Sequence, residues 1–222
     1  MRVSLIIPAL NEAESLPSVL TEVPSSVVDQ VIVVDNGSSD STAEVARMAG
    51  AQVVAEPRRG YGFACAAGAA AADGEVLVFM DGDGSFMPAE LAALLGPALT
   101  DEADLVLGSR LRANAAHMPA HQRLGNVLFV WLLRLRFGLD LTDLGPFRAI
   151  RRDVLAALGM RERTHGWPLE MIIKAAQGGR RIVEVPVTYR PRRAGVSKVG
   201  GTIGGSILAA VRFFLVAMRY AF

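Results

Sequence analysis

The sequence predicts an α/β fold, a mostly parallel, doubly wound central sheet with helices on both faces. Three observations carry that expectation. Short apolar runs recur at 3–7, 31–34, 51–55 and 76–80, and helix-forming stretches separate them. Strand–helix alternation of this kind closes as right-handed parallel crossovers. The 222 residues are 51% hydrophobic and 20% charged, which is enough to cover both faces of a sheet and excludes a disordered chain.

Val3-Ser-Leu-Ile-Ile7 reads as the first strand, ended by Pro8. The run is short and does not read as a signal peptide. Asn11 then caps a helix that carries Glu12 and Glu14 in its first turn. Val31–Val34 is a buried strand stopping at Asp35-Asn36-Gly37-Ser38-Ser39-Asp40, and a helix follows to about Met48. Ala51–Ala55 is a third strand. Gly60-Tyr61-Gly62 follows the wrong strand for a dinucleotide fingerprint and reads as a turn into an Ala-rich helix ending near Ala72. A strand over 76–80 completes the unit.

Beyond it, a helix runs from Pro88 to about Leu99, and a strand covers 104–108. Residues 109–121 form a loop with Arg110, Arg112, His117 and His121; Pro119 argues against the two histidines as a ligand pair. Gln122–Gly138 is a long apolar helix, core or interfacial. Thr142–Pro146 is a turn, 147–150 a strand, 152–158 and 169–177 helices, the last ended by Gly178-Gly179. Pro186 within the strand 182–189 marks a sheet edge.

Residues 1–202 read as one domain and 203–222 as a C-terminal apolar, amphipathic helix with Arg212 and Arg219 on one face. A spanning helix needs about 20 predominantly apolar residues. Central arginines cost about 2.5–3.5 kcal/mol each on insertion. A helix lying at the membrane interface is therefore expected; docking on the domain, or in a homodimer, is the alternative.

Charge is divided unevenly. Residues 1–100 hold 4 Lys/Arg against 13 Asp/Glu, and residues 101–222 hold 19 against 9. The first half suits a cation and the second suits anions. Basic residues are not interleaved with aromatics on one element, which argues against nucleic acid. The single Cys65 cannot form an internal disulfide, which fits a reducing, cytoplasmic setting.

The stretch that organises the rest is Val76-Leu-Val-Phe-Met-Asp81-Gly82-Asp83-Gly84-Ser85. A buried strand delivers two carboxylates at i and i+2, which can converge on one hard cation. Gly82 leaves room between them. A polar turn before the next helix is the plainer alternative. Asn11-Glu12, Asp35-Asn36 and Asp81-Gly-Asp83 all follow strands. In a parallel sheet they meet on one edge, where a nucleotide and a metal-bound diphosphate find a place.

Pro8-Ala-Leu-Asn11-Glu12, Val33-Val34-Asp35-Asn36-Gly37-Ser38-Ser39-Asp40 and Met80-Asp81-Gly82-Asp83 resemble the signatures of family 2 glycosyltransferases of GT-A fold. Gly108-Ser109-Arg110, Gly145-Pro-Phe147-Arg148 and Glu184-Val-Pro186 with Arg192…Ser197-Lys198 resemble its polyprenyl (dolichyl) phosphate mannose or glucose synthase branch. The resemblance implies metal-dependent inverting transfer of a hexose from GDP-mannose or UDP-glucose to polyprenyl phosphate, with Mg²⁺ or Mn²⁺, at the inner face of the cell membrane. It implies Pro8, Leu10, Glu12, Val33 and Asp35 around the nucleoside, Gly82 against the nucleotide, and Asp81, Asp83 and Ser85 at the metal. Arg110, Arg192 and Lys198 would meet the donor diphosphate or the acceptor phosphate.

Two departures stand out: Asp35-Asn36 replaces a pair of aspartates, and Thr142-Asp143-Leu-Gly145-Pro146-Phe147-Arg148 replaces Thr-Ser-Gly-Phe-Arg. An ionised lipid phosphate needs cations rather than a base, and Arg123 and Arg148 are candidates. A hydroxyl acceptor needs a carboxylate base, for which Asp143 is the candidate, with a plain turn role as the alternative. The Gly-rich 192–201 stretch reads as a closing loop or an exposed basic hairpin. A nucleotide-sugar-binding protein without catalysis is the non-enzymatic alternative.

Overall fold

The structure is a computed structural model and describes residues 1–113, 118–195 and 203–221. β1 (Val3–Ala9), β2 (Gln30–Asp35), β3 (Gln52–Ala55), β4 (Val76–Phe79), β5 (Leu105–Ser109), β6 (Arg148–Arg151) and β7 (Ile182–Pro186) form one sheet. Their order is β3-β2-β1-β4-β6-β5-β7. β6 is antiparallel to both neighbours, and every other pairing is parallel. β7 lies at the edge, where Pro186 costs no ladder bond.

The strands alternate with period two, which is why helices cover both faces. Leu5, Ile7, Val33, Val76 and Val78 point into one layer, with Leu16 of α1 (Leu16–Thr21), Ala46 of α2 (Thr42–Met48) and Leu94 of α4 (Leu91–Leu99). Ile6, Ile32, Val34, Leu77 and Phe79 point into the other. There they meet α3 (Tyr61–Ala71), α6 (Ala120–Phe137), α7 (Arg152–Leu158), α8 (Trp167–Gln177) and α9 (Ile203–Tyr220). Each fully buried aliphatic side chain contributes about 1.5–3 kcal/mol. Phe79 meets Trp167 edge to face, with ring centroids 4.8 Å apart, and joins β4 to α8.

Several local expectations are corrected. Pro8 lies inside β1 and does not end it. The Met80 N–H bonds to the Ile6 carbonyl, so the missing N–H of Pro8 falls on the side where β4 has already stopped. Asn11 does not cap a helix. It adopts φ 53°, and α1 starts at Leu16, with Pro17 in its first turn. Within the expected loop at 109–121, residues 110–113 form a helical turn, α5 (Arg110–Ala113).

Gly60 and Gly62 do lead into α3, for a packing reason the sequence does not state. A Cβ on Gly62 would sit 2.6 Å from the Glu162 carbonyl oxygen, and one on Gly60 would sit 2.4 Å from that of Arg163. The two glycines let the 162–163 backbone lie directly on the start of α3.

Candidate active site

The adjacent carboxyl ends of β2, β1 and β4 bring Asp35, Glu12, Asp81 and Asp83 to one edge. Arg192 spans the middle of this edge. It donates from Nη1 to Asp83 Oδ2 at 3.0 Å and from Nη2 to Glu12 Oε1 at 2.5 Å. The Ser85 backbone N–H fixes Asp83 Oδ1 at 2.9 Å, and the Arg193 N–H bonds to the Asp83 carbonyl. Gly84 turns with φ +74°, and the Arg193 side chain fills the space a Cβ would take. The 190–195 segment is thus laid over the acidic edge.

Asp81 differs from Asp83. Its carboxyl is pushed up to about 7 by burial first and by the Asp83 charge second. Arg110, Arg192 and Glu12 act on it at longer range, and among the described residues no donor bonds to it. Two carboxylates, one of them unpartnered and in like-charge conflict, suit a hard divalent cation, whose charge removes the conflict. Among the described residues no group of three or more His, Cys, Asp or Glu encloses an ion. The Asp81–Asp83 pair fits a cation that takes further oxygens from substrate phosphate, as Mg²⁺ characteristically does. Ser85 meets this site through its observed backbone bond to Asp83.

A second cluster adjoins it. Asp143 is fully buried and receives Arg110 bidentately, Nε to Oδ2 and Nη2 to Oδ1, each at 2.8 Å. The Arg110 backbone N–H adds a third bond to Oδ2. Glu184 is buried behind it and accepts the N–H groups of Thr142 and Asp143 and the Thr142 hydroxyl. Arg112 pairs with Glu184 at 3.0 Å. The unusual 142–146 turn is thus held by two ion pairs. They fix the Arg110 guanidinium 5.2 Å from the centre of the Tyr189 ring.

Other expected site residues fall less simply. Pro8, Leu10 and Asp35 are half-buried on the edge, and Asp35 accepts the Ser38 N–H at 3.0 Å. Val33 is fully buried among the α1–α2 core residues and has no surface to offer a nucleoside. Gly82 does leave room, but Ile7 and Leu16 occupy it, 3.0 and 3.3 Å from where a Cβ would stand. Arg148 is fully buried. Its guanidinium donates to the carbonyls of Leu144, Gly145 and Pro168, and burial lowers its pKa to about 10. It braces the turn from beneath and does not reach solvent to meet a phosphate. Lys198 and Ser197, with the expected closing segment around them, lie outside the described residues, as does His117.

The Asn36 departure has a physical reason. Its side-chain amide donates to the carbonyls of Glu56 and Arg58, and its oxygen accepts the Gly60 N–H at 2.8 Å. A carboxylate cannot donate to those carbonyls. Sequence reading missed the parts played by Glu184 and Tyr189. A lone carboxylate in the apolar run Ile182–Pro186 was a usable signal, because a buried Glu requires a partner; Tyr189 carried none.

Comparison with known proteins agrees with this arrangement. The glycosyl transferase family 2 model matches residues 4–159. An uncharacterised glycosyltransferase of Mycobacterium tuberculosis is 44% identical over 214 residues, covering 96% of this chain and 97% of that protein. The undecaprenyl-phosphate mannosyltransferase of Micrococcus luteus is 35% identical, covering 98% and 96%. Among solved structures, glucosyl-3-phosphoglycerate synthase of M. tuberculosis with Mn²⁺, UDP-glucose and phosphoglyceric acid superposes with a TM-score of 0.82. It is 25% identical, covering 99% of this chain and 79% of that one. The sheet with its carboxylate-bearing edge, the family match and these relatives agree: the chain is a member of glycosyl transferase family 2, of GT-A fold, in the polyprenyl phosphate sugar synthase branch.

Proposed function

We propose that the chain is a divalent-metal-dependent, inverting hexosyltransferase that moves mannose or glucose from a GDP- or UDP-sugar to polyprenyl phosphate. Residues 1–202 form its catalytic unit, which works peripherally at the inner face of the cell membrane. The observation that carries this reading is the Asp81–Asp83 pair, a like-charge conflict at the end of β4 with Arg192 already drawn to it.

A cation held by Asp81 and Asp83 would supply positive charge for the donor diphosphate and the departing nucleotide. The chain's own residues do the rest. Asp35, at the end of β2, offers a carboxylate to the nucleoside hydroxyls. Arg192 can exchange Glu12 and Asp83 for the diphosphate, which turns a clamp on the empty site into a clamp on the donor. Asp143 holds Arg110 rigid, so its charge stands beside the edge without reorganisation.

The acceptor assignment rests on the fate of the carboxylates. A hydroxyl nucleophile needs a base. Asp143 is tied to Arg110 and Glu184 to Arg112, and Asp83 is engaged by the cation. A phosphate nucleophile is ionised near pH 7 and needs only cations. Arg123, exposed near the start of α6, is the candidate that replaces Arg148.

The test is mass spectrometry after incubation with GDP-mannose or UDP-glucose and either polyprenyl phosphate or phosphoglyceric acid. Hexosyl-phosphopolyprenol, lost with EDTA and in Asp83→Ala, is expected. A hexosylated soluble hydroxyl acceptor would move the assignment to the alternative acceptor class. Donor binding without any product would remove the enzyme reading.

A further inference from the structure

The chain that follows β7 crosses from one cluster of the site to the other. The Val187 N–H bonds to the carbonyl of Ser109, the neighbour of Arg110 at the end of β5. Thr188 is anchored on Glu90, its N–H to Oε2 at 2.9 Å and its hydroxyl to Oε1 at 2.6 Å. The Arg190 N–H bonds to the Ser85 carbonyl at 2.9 Å, and the Arg193 N–H to that of Asp83 at 3.0 Å. Tyr189 stands midway and pairs with Phe86 in an isolated antiparallel bridge. Its backbone is therefore fixed between the Arg110 cluster and the carboxylate edge.

Its side chain is fixed as well. The ring centroid lies 5.5 Å from that of Phe86, which lies 5.3 Å from that of the fully buried Phe147. The Arg110 guanidinium, held by Asp143, covers the ring at 5.2 Å. With guanidinium on its face and Phe86 tilted against it, the ring offers no platform for a hexose to stack on. The hydroxyl is what remains for a ligand. Among the described residues no partner bonds to it, and its oxygen still meets solvent.

Four charges reach this hydroxyl: Arg110 and Arg192, and Asp83 and Asp81. Burial, helped by the two carboxylates, raises its pKa above the usual tyrosine value in spite of the two arginines. The phenol thus keeps its proton near pH 7 and acts as a donor, not a base. Two guanidiniums and a hydroxyl turned toward the same edge suit an anion. We infer that Tyr189 is a catalytic residue whose hydroxyl donates a hydrogen bond to the terminal phosphate of the sugar donor as the hexose departs. This rests on the nucleotide-sugar reading above. In that step an acceptor phosphate oxygen bonds to hexose C1. The bond from C1 to the donor diphosphate breaks, and its electron pair stays on the departing oxygen. The tyrosine proton is shared with that phosphate and is not transferred. Charge on the phosphate grows toward the transition state, so the contact strengthens as the bond breaks.

Tyr189→Phe removes the hydroxyl and keeps the ring between Arg110 and Phe86. With GDP-mannose or UDP-glucose, Mn²⁺ and a short, water-soluble polyprenyl phosphate, kcat should fall about 10²-fold. KM for donor and acceptor should stay within about threefold of wild type, at unchanged Tm. Calorimetric titration should show Mn²⁺-dependent binding of GDP or UDP weakened by about threefold or more. Tyr189→Leu also removes the ring, and should lose more activity and lower the Tm. A Phe variant with wild-type kcat beside an impaired Leu variant would reduce Tyr189 to a packing role and overturn the proposal. So would a loss confined to KM for the acceptor. A wild type that binds nucleoside diphosphate with Mn²⁺ but transfers nothing would count against the function above, and the titration of the Phe variant would then decide this proposal alone. A wild type that binds no nucleotide would overturn both.

Discussion

Replacing Asp81 by Asn isolates the like-charge conflict on which the site depends. Burial and Asp83 raise the Asp81 pKa from 3.8 to about 7. Between those two pH values the folded state keeps a proton that the unfolded state has released. Stability contributed by this residue therefore falls as pH rises from about 4 to about 7, and the deficit is complete above that window. Allowing for the partial exposure of the carboxylate, it is of the order of 2–4 kcal/mol. For a chain of this size that is roughly 5–15 °C in Tm. Asn has the same shape and no charge. Metal-free Asp81→Asn should match the wild type below about pH 4, exceed it progressively up to about pH 7, and hold that advantage at pH 8. Mn²⁺ should then raise the Tm of the wild type at pH 8 and not that of the variant. Scanning calorimetry across pH 4–8, with and without Mn²⁺, measures both. Parallel profiles for the two proteins, or a variant less stable at pH 8, would refute the reasoning.

Other expectations follow from individual contacts. Asp143→Asn breaks a buried bidentate pair and should cost about 3–5 kcal/mol in urea unfolding, together with activity; a variant of full stability that loses only activity would restore Asp143 as a base. Arg192→Ala should tighten Mn²⁺ binding to the nucleotide-free protein, because Asp83 is freed, and should raise KM for the donor; calorimetric titration and steady-state kinetics separate the two effects. Gly62→Ala drives a Cβ into the 162–163 backbone and should destabilise by about 1–3 kcal/mol, read as a lower midpoint in urea.

The sheet was legible because its strands obey simple rules. Val31–Val34 and Val76–Phe79 are uninterrupted apolar runs that stop at acidic turns, and parallel crossovers then place those turns on one edge. The expectation of a pre-formed acidic edge followed from that geometry alone. What escaped were features set by contacts distant in sequence. Pro8 looked like a strand end because the sequence does not say where β4 stops. Arg148 looked like a phosphate ligand because a motif lists residues without burial. In the fold it sits beneath the 142–146 turn, bonded to the carbonyls of Leu144, Gly145 and Pro168. The Asp143–Arg110 and Glu184–Arg112 pairs join positions 33 and 72 residues apart, so no local pattern announces them.

In the proposed function Asp81 and Asp83 hold a divalent ion that in turn holds a nucleoside diphosphate. Calorimetric titration of GDP and UDP into the purified chain tests it most directly, with Mn²⁺ present or with EDTA, in the wild type and in Asp83→Ala. At least one of the two should bind only when Mn²⁺ is present, and neither should bind to Asp83→Ala. Equal affinity in EDTA, or binding undiminished by Asp83→Ala, would contradict it.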